Sequence, residues 1–260
     1  MDPKKVMARL QKLEGAVLER RNPHAHVIRT KSPSFNFIYG KGHGMPRGYS
    51  TALFGPPKGG KTLLTYTMMG QTHTDYPDSI VVKFDAEFRD EGQLTTPEQA
   101  QQWGLDMDRY MLYQVNSPDM IFDRIETEIA ALCQDGANIP LVIVDSVNGI
   151  QGRRTMNADS VMQQQIGDHA LTIQDGLKRI LPIQRKYGIG IVFTCQARAE
   201  MDKVEVDRGN KIKMGASFGL KHHCEYFVFV EQNLYKAGRQ DLLGNDLRDE
   251  ALGDVTEKGA

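Results

Sequence analysis

The feature that most constrains this chain is the stretch GPPKGGKT at residues 55–62, which lies between the apolar runs TALF and LLTYTMM. Its spacing fits G-x-x-x-x-G-K-[ST], in which glycines let backbone N–H groups turn inward around an anion. A strand before the stretch and a helix after it are the context in which this pattern holds nucleotide phosphates. The sequence therefore predicts an ATP-binding P-loop rather than a chance glycine turn.

Two side chains of this loop carry predicted roles. Lys61 is expected to lie across the β- and γ-phosphates, and the Thr62 hydroxyl is expected to bind Mg²⁺. The nucleotide-binding residues predicted in the loop are Gly55, Pro56, Pro57, Lys58, Gly59, Gly60, Lys61, Thr62 and Leu63.

A second metal ligand is predicted at the end of the apolar run IPLVIVDS. A strand that ends in a carboxylate places Asp145 at the edge of a sheet where ligands collect, so Thr62 and Asp145 are the predicted Mg²⁺ ligands. The alternative is that Asp145 initiates a turn by accepting hydrogen bonds near Ser146 or Asn148.

The run IVVKFDAEF also ends in acids, Asp85 and Glu87. If this strand lies beside the P-loop strand, Glu87 reaches the γ-phosphate side and orients or deprotonates an attacking water. A Glu in a surface salt bridge is the alternative, and position alone favours neither.

Composition restricts the function classes. A chain of 260 residues suits one α/β domain with a modest extension. A formal net charge of -1 excludes a globally basic nucleic-acid binder but allows a local basic loop. Three scattered cysteines favour neither a disulfide framework nor a zinc ribbon, and no apolar run is long enough to span a bilayer. The sequence predicts a cytoplasmic protein without a membrane partner.

Alternation of β-type and helical runs predicts the fold class. An α/β fold with a mainly parallel sheet and helices on both faces is expected. The predicted strands are TALF, IVVKFD, YMLYQV, PLVIVD, IGIVFTC and YFVFV, and the predicted helices are 61–70, 96–103, 118–134 and 167–187.

The N-terminal part is predicted to form a separate unit. An apolar stripe predicts an amphipathic helix over residues 3–21, which docks either on a neighbouring subunit or on its own core. Pro and Gly residues predict an extended connector over 22–50 rather than a second helix. The predicted division is an N-terminal helix and linker at 1–31 and an ATPase core at 32–260.

Two long polar segments, 147–166 and 197–219, follow strand ends and show no period. Loops of this length in a compact domain are usually functional or disordered.

Taken in order, these residues resemble the RecA-type recombinase family. The stretch SPSFNFIYGKGHGMPRGYSTALFGPPKGGKTLL resembles the entry into the family's RecA-like ATPase core. The segments FDAEF, VIVDSV, IGDHAL and FTCQAR resemble, in turn, the catalytic-glutamate segment, Walker B, the exit of the first DNA loop and the γ-phosphate sensor strand. The resemblance covers about residues 30 to 231. Lys58 and the stretch YPDSIVVKFDAEF look closer to UvsX-type phage recombinases than to bacterial RecA.

The resemblance implies roles for particular residues. Glu87 becomes the catalytic residue with Lys61, and Gln196 becomes a sensor that connects ATP to the second loop. By the same resemblance, the segments 147–166 and 197–219 are expected to be DNA-binding loops. The alternative is that they form a solvated face. Seven basic residues offer DNA phosphate contacts, although four acidic residues dilute the charge of the second loop. The predicted DNA-binding residues are Arg153, Arg154, Arg198, Lys203, Arg208, Lys211 and Lys213.

Two departures from the family pattern are visible. The family's later strands carry lysines that reach a neighbour's ATP, whereas here EQNLYKAGRQDLLGNDLRDEALGDVTEKGA follows YFVFV. In the adenine pocket, TTPEQAQQW occupies the place of a family tyrosine, which leaves Gln99 or Trp103 as candidates.

The resemblance implies a phage-encoded, Mg²⁺- and DNA-dependent ATPase that acts in the host cytoplasm. It would assemble on single-stranded DNA as a homo-oligomer, in a helical filament or a ring, for homologous recombination and strand exchange. The alternatives are a hexameric helicase or translocase motor of the same fold, and a non-catalytic mediator that binds ATP and DNA.

Overall fold

A computed structural model of the protein describes residues 26–40, 44–88, 97–152, 168–199, 212–215 and 218–231, with Lys5, Val6, Arg9 and Lys12 near the N-terminus. The predicted helix over 3–21 therefore lies almost wholly outside the described residues. The same holds for most of the two predicted DNA loops.

Nine strands are described. In chain order they are β1 (Val27–Ile28), β2 (Met45–Pro46), β3 (Ser50–Gly55), β4 (Val81–Asp85), β5 (Tyr110–Gln114), β6 (Leu141–Asp145), β7 (Gly190–Ala199), β8 (Ile212–Met214) and β9 (Tyr226–Phe229).

Seven α-helical segments accompany them. They are α1 (Pro33–Ile38), α2 (Lys61–Asp75), α3 (Pro97–Trp103), α4 (Pro118–Asp123), α5 (Ala130–Gln134), α6 (Asp168–Tyr187) and α7 (Phe218–His223). A π-helical segment, Arg124–Ile129, joins α4 to α5, and short 3₁₀ turns lie at Met107–Arg109 and Val147–Gly149.

Six strands form a parallel sheet in the order β5-β4-β6-β7-β3-β9. Strand β8 pairs antiparallel with the end of β7, and β1 pairs with β2 in a separate two-stranded sheet. The α/β fold with a mainly parallel sheet is confirmed. Since parallel strands share one polarity, the segments that follow β3, β4, β6 and β7 all emerge at the same edge.

Helices cover both faces of the sheet. In β6, Val142 and Val144 belong to one buried cluster, whereas Leu141 and Ile143 belong to a second. Alternate strand residues point to opposite faces, so the two clusters lie on opposite sides. The first cluster includes residues of α4 and α6, and the second includes residues of α1, α2 and α3.

The structure differs from the predicted connector over 22–50. Helix α1 interrupts it, because Ser32 caps the helix through its hydroxyl, which accepts from the N–H of Phe35, and Pro33 occupies the first turn. A proline there is compatible with a helix because no intrahelical partner is lost. Pro33 therefore marks the start of a helix rather than a break in one.

The predicted loop at 197–219 is also shorter than expected. Strand β7 continues to Ala199, β8 pairs with it, and α7 begins at Phe218. The sequence shows no period here because only three residues of each strand pair, Ala197–Ala199 with Ile212–Met214. Among the described residues, no helix is long and apolar enough to cross a membrane.

Candidate nucleotide-binding site

A cleft of about 440 Å³ lies at the carboxyl ends of the parallel strands. Its size is in the usual range for small-molecule sites. The residues that line it come from the P-loop, α2, α3 and the ends of β4, β6 and β7. They are Pro57, Lys58, Gly59, Gly60, Lys61, Thr62, Leu63, Tyr66, Lys83, Asp85, Glu87, Gln99, Trp103, Asp145, Ser146 and Gln196.

The P-loop turns into α2 at Gly60, whose φ is 96°. This left-handed conformation favours glycine, and a Cβ there would meet nothing within 4 Å. Lys61 Nζ donates to the backbone oxygens of Gly55 at 2.9 Å and of Pro56 at 2.8 Å. These two residues therefore hold Lys61, whereas the other seven predicted loop residues line the cleft.

Two loop glycines pack against the chain that leaves β9. A Cβ on Gly55 would lie 1.9 Å from the Val230 oxygen, and one on Gly59 would lie 2.8 Å from the same atom. The Val230 N–H also donates to Phe54 O at 2.8 Å. The backbone after β9 therefore lies directly against the loop.

Asp145 is placed by the end of β6. Its Oδ2 accepts from Thr62 Oγ1 at 3.0 Å, and its Oδ1 accepts from Thr194 Oγ1 of β7. Lys83 Nζ of β4 lies 3.4 Å from the same Oδ2. Thr62 and Asp145, the two predicted metal ligands, are thus in direct contact.

Glu87 reaches the cleft by a route that the sequence did not predict. Strand β4 does not lie beside the P-loop strand β3, since β6 and β7 lie between them. Instead, Ser146 Oγ at the end of β6 donates to Glu87 Oε1. A Cβ on Gly149 would lie 2.5 Å from Ala86 O, so a glycine at this position lets the chain after β6 lie against Glu87.

Gln196 lies in the outer part of β7 and lines the same cleft. Its N–H donates to Asn148 Oδ1 at 2.8 Å, and Asn148 Nδ2 donates to Gly215 O at 3.2 Å. The Gly215 N–H donates to Gln196 O at 2.7 Å. The Asn148 side chain therefore joins the beginning of the first polar segment to β7 and to the residue that follows β8.

The first polar segment is also closed at its base. A Cβ on Gly152 would lie 2.1 Å from Asp168 Oδ2, so the residues before and after the segment 153–167 are in contact. His169 Nε2 lies 3.0 Å from Val147 O, which adds a second contact across the base.

Both predicted adenine candidates line the cleft. Trp103 stacks on Tyr66, with ring centroids 4.6 Å apart and an interplanar angle of 21°. Gln99 lies one turn earlier on α3. An aromatic pair and an amide in the lining of the cleft suit a planar, hydrogen-bonding base.

Cys195 separates Thr194 from Gln196 and is fully buried. Burial raises the pKa of its thiol to about 12, an effect that Lys61 partly opposes. An uncharged, buried thiol at this position packs in the core and does not act as a nucleophile.

The predicted DNA-binding residues are only partly described. Arg153, Arg154, Lys203, Arg208 and Lys211 lie outside the described residues. The backbone of the β7–β8 hairpin places Arg198 opposite Lys213.

Sequence reasoning missed five residues of the site. Lys83 had a signal, because it is a lysine within an apolar strand that leads to the acids. The other four are common polar or aromatic residues whose partners lie far away in sequence. They are Tyr66, Ser146, Asn148 and Thr194.

The residues present fit ATP and Mg²⁺. The first turn of α2 and the open space at Gly60 form a cradle for phosphates. Thr62 and Asp145 offer the hard oxygen atoms that Mg²⁺ prefers, and Mg²⁺ usually takes its remaining ligands from phosphates and water. Among the described residues, no group of three or more His, Cys, Asp or Glu side chains could hold a metal ion.

Comparison with known proteins gives one family. The family model described as the RecA N-terminal domain matches residues 9–248. The chain is 26% identical over 236 residues to Protein RecA of Thermus aquaticus, covering 90% of this chain and 63% of that protein. It is 27% identical over 220 residues to Protein RecA of Deinococcus radiodurans, covering 85% and 55%, respectively. For Protein RecA of Mesomycoplasma hyopneumoniae the identity is 25% over 250 residues, covering 94% and 69%.

Proposed function

The chain belongs to the RecA N-terminal domain family, and from this membership we propose that it is an ATP-dependent DNA recombinase that assembles on single-stranded DNA for homologous recombination and strand exchange. The proposal rests on the observation that the P-loop, Glu87, Asp145 and Gln196 all line one cleft. The chain spans 63% of the Thermus aquaticus relative and 55% of the Deinococcus radiodurans relative, so the activity of the whole protein is part of the proposal.

The proposed reaction is hydrolysis of the terminal phosphate of ATP. Lys61 and the N–H groups of the loop and α2 bind and orient the phosphates. Thr62 and Asp145 would hold Mg²⁺, which neutralises developing charge on the phosphate oxygens. Glu87, held by Ser146, takes the proton of the attacking water.

The proposed link to DNA runs through Gln196. Its side chain senses the γ-phosphate, and its backbone lies on the strand that leads into the second polar segment. Through Asn148 the same residue is connected to the base of the first segment. A change at the phosphate would therefore reach both segments through short, partly buried hydrogen bonds.

The proposed DNA surface consists of the two polar segments and their basic residues. In the β7–β8 pair, Arg198 and Lys213 are at directly opposed backbone positions. Like charges at opposed positions destabilise a strand pair unless an anion neutralises them, and this supports the proposed DNA surface. DNA phosphates would supply that anion. Arg153, Arg154, Lys203, Arg208 and Lys211 are proposed as further phosphate contacts.

Two finer points belong to the same proposal. Lys58 in the P-loop and the stretch YPDSIVVKFDAEF favour a UvsX-type phage recombinase over a bacterial RecA. The N-terminal unit, 1–31, is proposed to dock on a neighbouring subunit, because an apolar stripe on a tether needs a surface to cover it.

Electron microscopy with a non-hydrolysable ATP analogue and single-stranded DNA tests the proposal. A helical filament that requires both ligands is expected. A closed ring would instead support a hexameric helicase or translocase. A monomer that binds ATP and DNA but scarcely hydrolyses ATP would support a recombination mediator.

Strand exchange between a labelled single strand and a homologous duplex completes the test. Joint molecules that form with ATP but not with ADP are expected. Filaments without strand exchange would contradict the recombinase assignment while leaving the ATPase fold intact.

A further inference from the structure

Lys83 is a buried cation beneath the nucleotide cleft. It is 1% exposed and lies in the middle of β4, where the sheet register places it between Leu112 of β5 and Ile143 of β6. A lysine in such apolar surroundings is costly unless its charge is paired. Its place in the fold therefore calls for a specific partner.

The cleft supplies that partner. Lys83 Nζ lies 3.4 Å from Asp145 Oδ2, the oxygen that also accepts from Thr62. The ammonium donates to the Tyr66 hydroxyl at 3.3 Å and lies 4.5 Å from the centre of the Tyr66 ring. These contacts hold the charge beside one of the two proposed metal ligands.

Lys83 changes the net charge of the residues that line the cleft. The basic residues of the lining are three lysines and its acidic residues are three carboxylates, so the two signs balance. Without Lys83 the lining would carry one excess negative charge. A buried charge is screened little by salt, so it acts strongly on a polyanionic ligand nearby. The members of this set are Lys58, Lys61, Lys83, Asp85, Glu87 and Asp145.

We propose that Lys83 is a resident counter-cation of the nucleotide site, which neutralises Asp145 and so reduces the dependence of nucleotide binding on Mg²⁺. It is a positioning residue, because it acts on the bound phosphates through Asp145 and the field of the cleft. The inference rests on the proposed function, since it requires that the cleft binds nucleoside phosphates.

The test is equilibrium binding of ADP, measured by calorimetry with excess Mg²⁺ and again with EDTA. The readout is the Mg²⁺ ratio, defined as the Kd in EDTA divided by the Kd in Mg²⁺. Lys83→Gln removes the charge but keeps a donor for Asp145, and it should raise the ratio about tenfold by weakening binding in EDTA. In excess Mg²⁺ the ion supplies the missing charge, so that Kd should change little.

Two control variants separate charge from packing. Lys83→Arg keeps the charge and should keep the wild-type ratio. Tyr66→Phe removes a hydrogen-bond partner of Lys83 but leaves its charge in place, so its ratio should also match the wild type. The proposal would be overturned if the Mg²⁺ ratio of Lys83→Gln stayed within about threefold of the wild-type ratio. It would also be overturned if Lys83→Gln and Lys83→Arg had equal Mg²⁺ ratios.

The wild-type protein provides a test that does not depend on folding of a variant. It should bind ADP in EDTA within about a hundredfold of its affinity in Mg²⁺. No measurable binding in EDTA alone would overturn the role of Lys83. Absence of binding in both conditions would instead contradict the proposed function, so the two failures are distinguishable.

Discussion

Asn148 accepts a hydrogen bond from the backbone N–H of Gln196 at 2.8 Å, although the two residues lie 48 positions apart. This contact joins the turn after β6 to the outer part of β7. The side-chain amide of Asn148 also donates to the backbone oxygen of Gly215, the residue after β8. A displacement at Gln196 therefore cannot occur without disturbing the beginning of the other polar segment.

Replacing Gln196 should uncouple nucleotide from DNA. An allosteric coupling of about 1–3 kcal/mol would make the wild-type protein bind DNA about 5–150-fold more tightly with an ATP analogue than with ADP. Gln196→Ala should remove most of that ratio and leave ATP affinity largely intact, because Lys61 and the loop amides still bind the phosphates. DNA titrations in both nucleotides at one fixed salt concentration measure it.

Asn148 provides the matched variants. Asn148→Ala removes both hydrogen bonds and should reduce the ratio, whereas Asn148→Asp keeps the acceptor for Gln196 and should retain more of it. An unchanged ratio in Gln196→Ala would show that Gln196 is not the sensor. No nucleotide effect in the wild type would favour the mediator alternative.

Lys61→Ala should abolish ATP turnover, with a loss of at least about a hundredfold. The reason is that it removes the loop cation proposed to contact the β- and γ-phosphates. Steady-state phosphate release measures the effect, and circular dichroism confirms the fold. The control is Lys58→Gln, which replaces the other lysine of the same loop and should lose less activity. Equal losses of activity in the two variants would contradict a special role for Lys61.

Glu87→Gln should slow hydrolysis while nucleotide affinity stays near the wild-type value, because the carboxylate acts on water and not on bound ATP. The glutamine keeps an oxygen that accepts from Ser146. Single-turnover hydrolysis and a separate ADP titration measure the two effects. Ser146→Ala, which frees the orientation of Glu87, should give a smaller loss. If affinity and hydrolysis fall together in Glu87→Gln, the residue is structural.

His73 should make stability fall at mildly acidic pH. Burial, assisted by the charge of Arg109, holds the pKa of His73 below its usual value, and its Nδ1 accepts from the Asp106 N–H at 3.0 Å. The folded state therefore favours neutral His73. Its stabilising contribution is present above the unfolded pKa, about 6.5, and is lost as pH falls through that value toward the folded pKa.

Urea midpoints at about pH 7.5 and about pH 5.5 measure this dependence, and the wild-type midpoint should fall further than that of His73→Gln. Glutamine offers a similar donor and acceptor without titrating. Because other histidines are common to both proteins, the difference between them isolates His73. Equal pH dependence would contradict the prediction.

Much of the fold followed from local signals. Strands β3, β4 and β6 are short apolar runs bounded by glycine or acid, and α2 follows directly from the glycine turn at Gly60. Helix α1 was missed because Pro33 can end a connector or begin a helix, and only the Ser32 cap decides between the two.

The site was predicted as far as each member sits in a recognisable sequence context. Thr62 and Asp145 were expected at one edge of the sheet, and they are in contact because Asp145 ends β6 and Thr62 lies in the first turn of α2. The contacts of Lys83 with Asp145 and of Asn148 with Gln196 were not predictable, because they depend on strand order and register. Pairing between distant segments leaves no local pattern in a single sequence.

The close approach of Val230 to Gly55 and Gly59 has a consequence for evolutionary decay of the site. These two glycines are required by a neighbouring backbone, whatever the loop binds, whereas Lys61 is required by its ligand. A descendant that lost its need for nucleotide would therefore drift at Lys61 while selection for folding preserved Gly55 and Gly59. In such a lineage, the presence of Lys61, rather than of Gly55 and Gly59, would indicate that the protein still binds ATP.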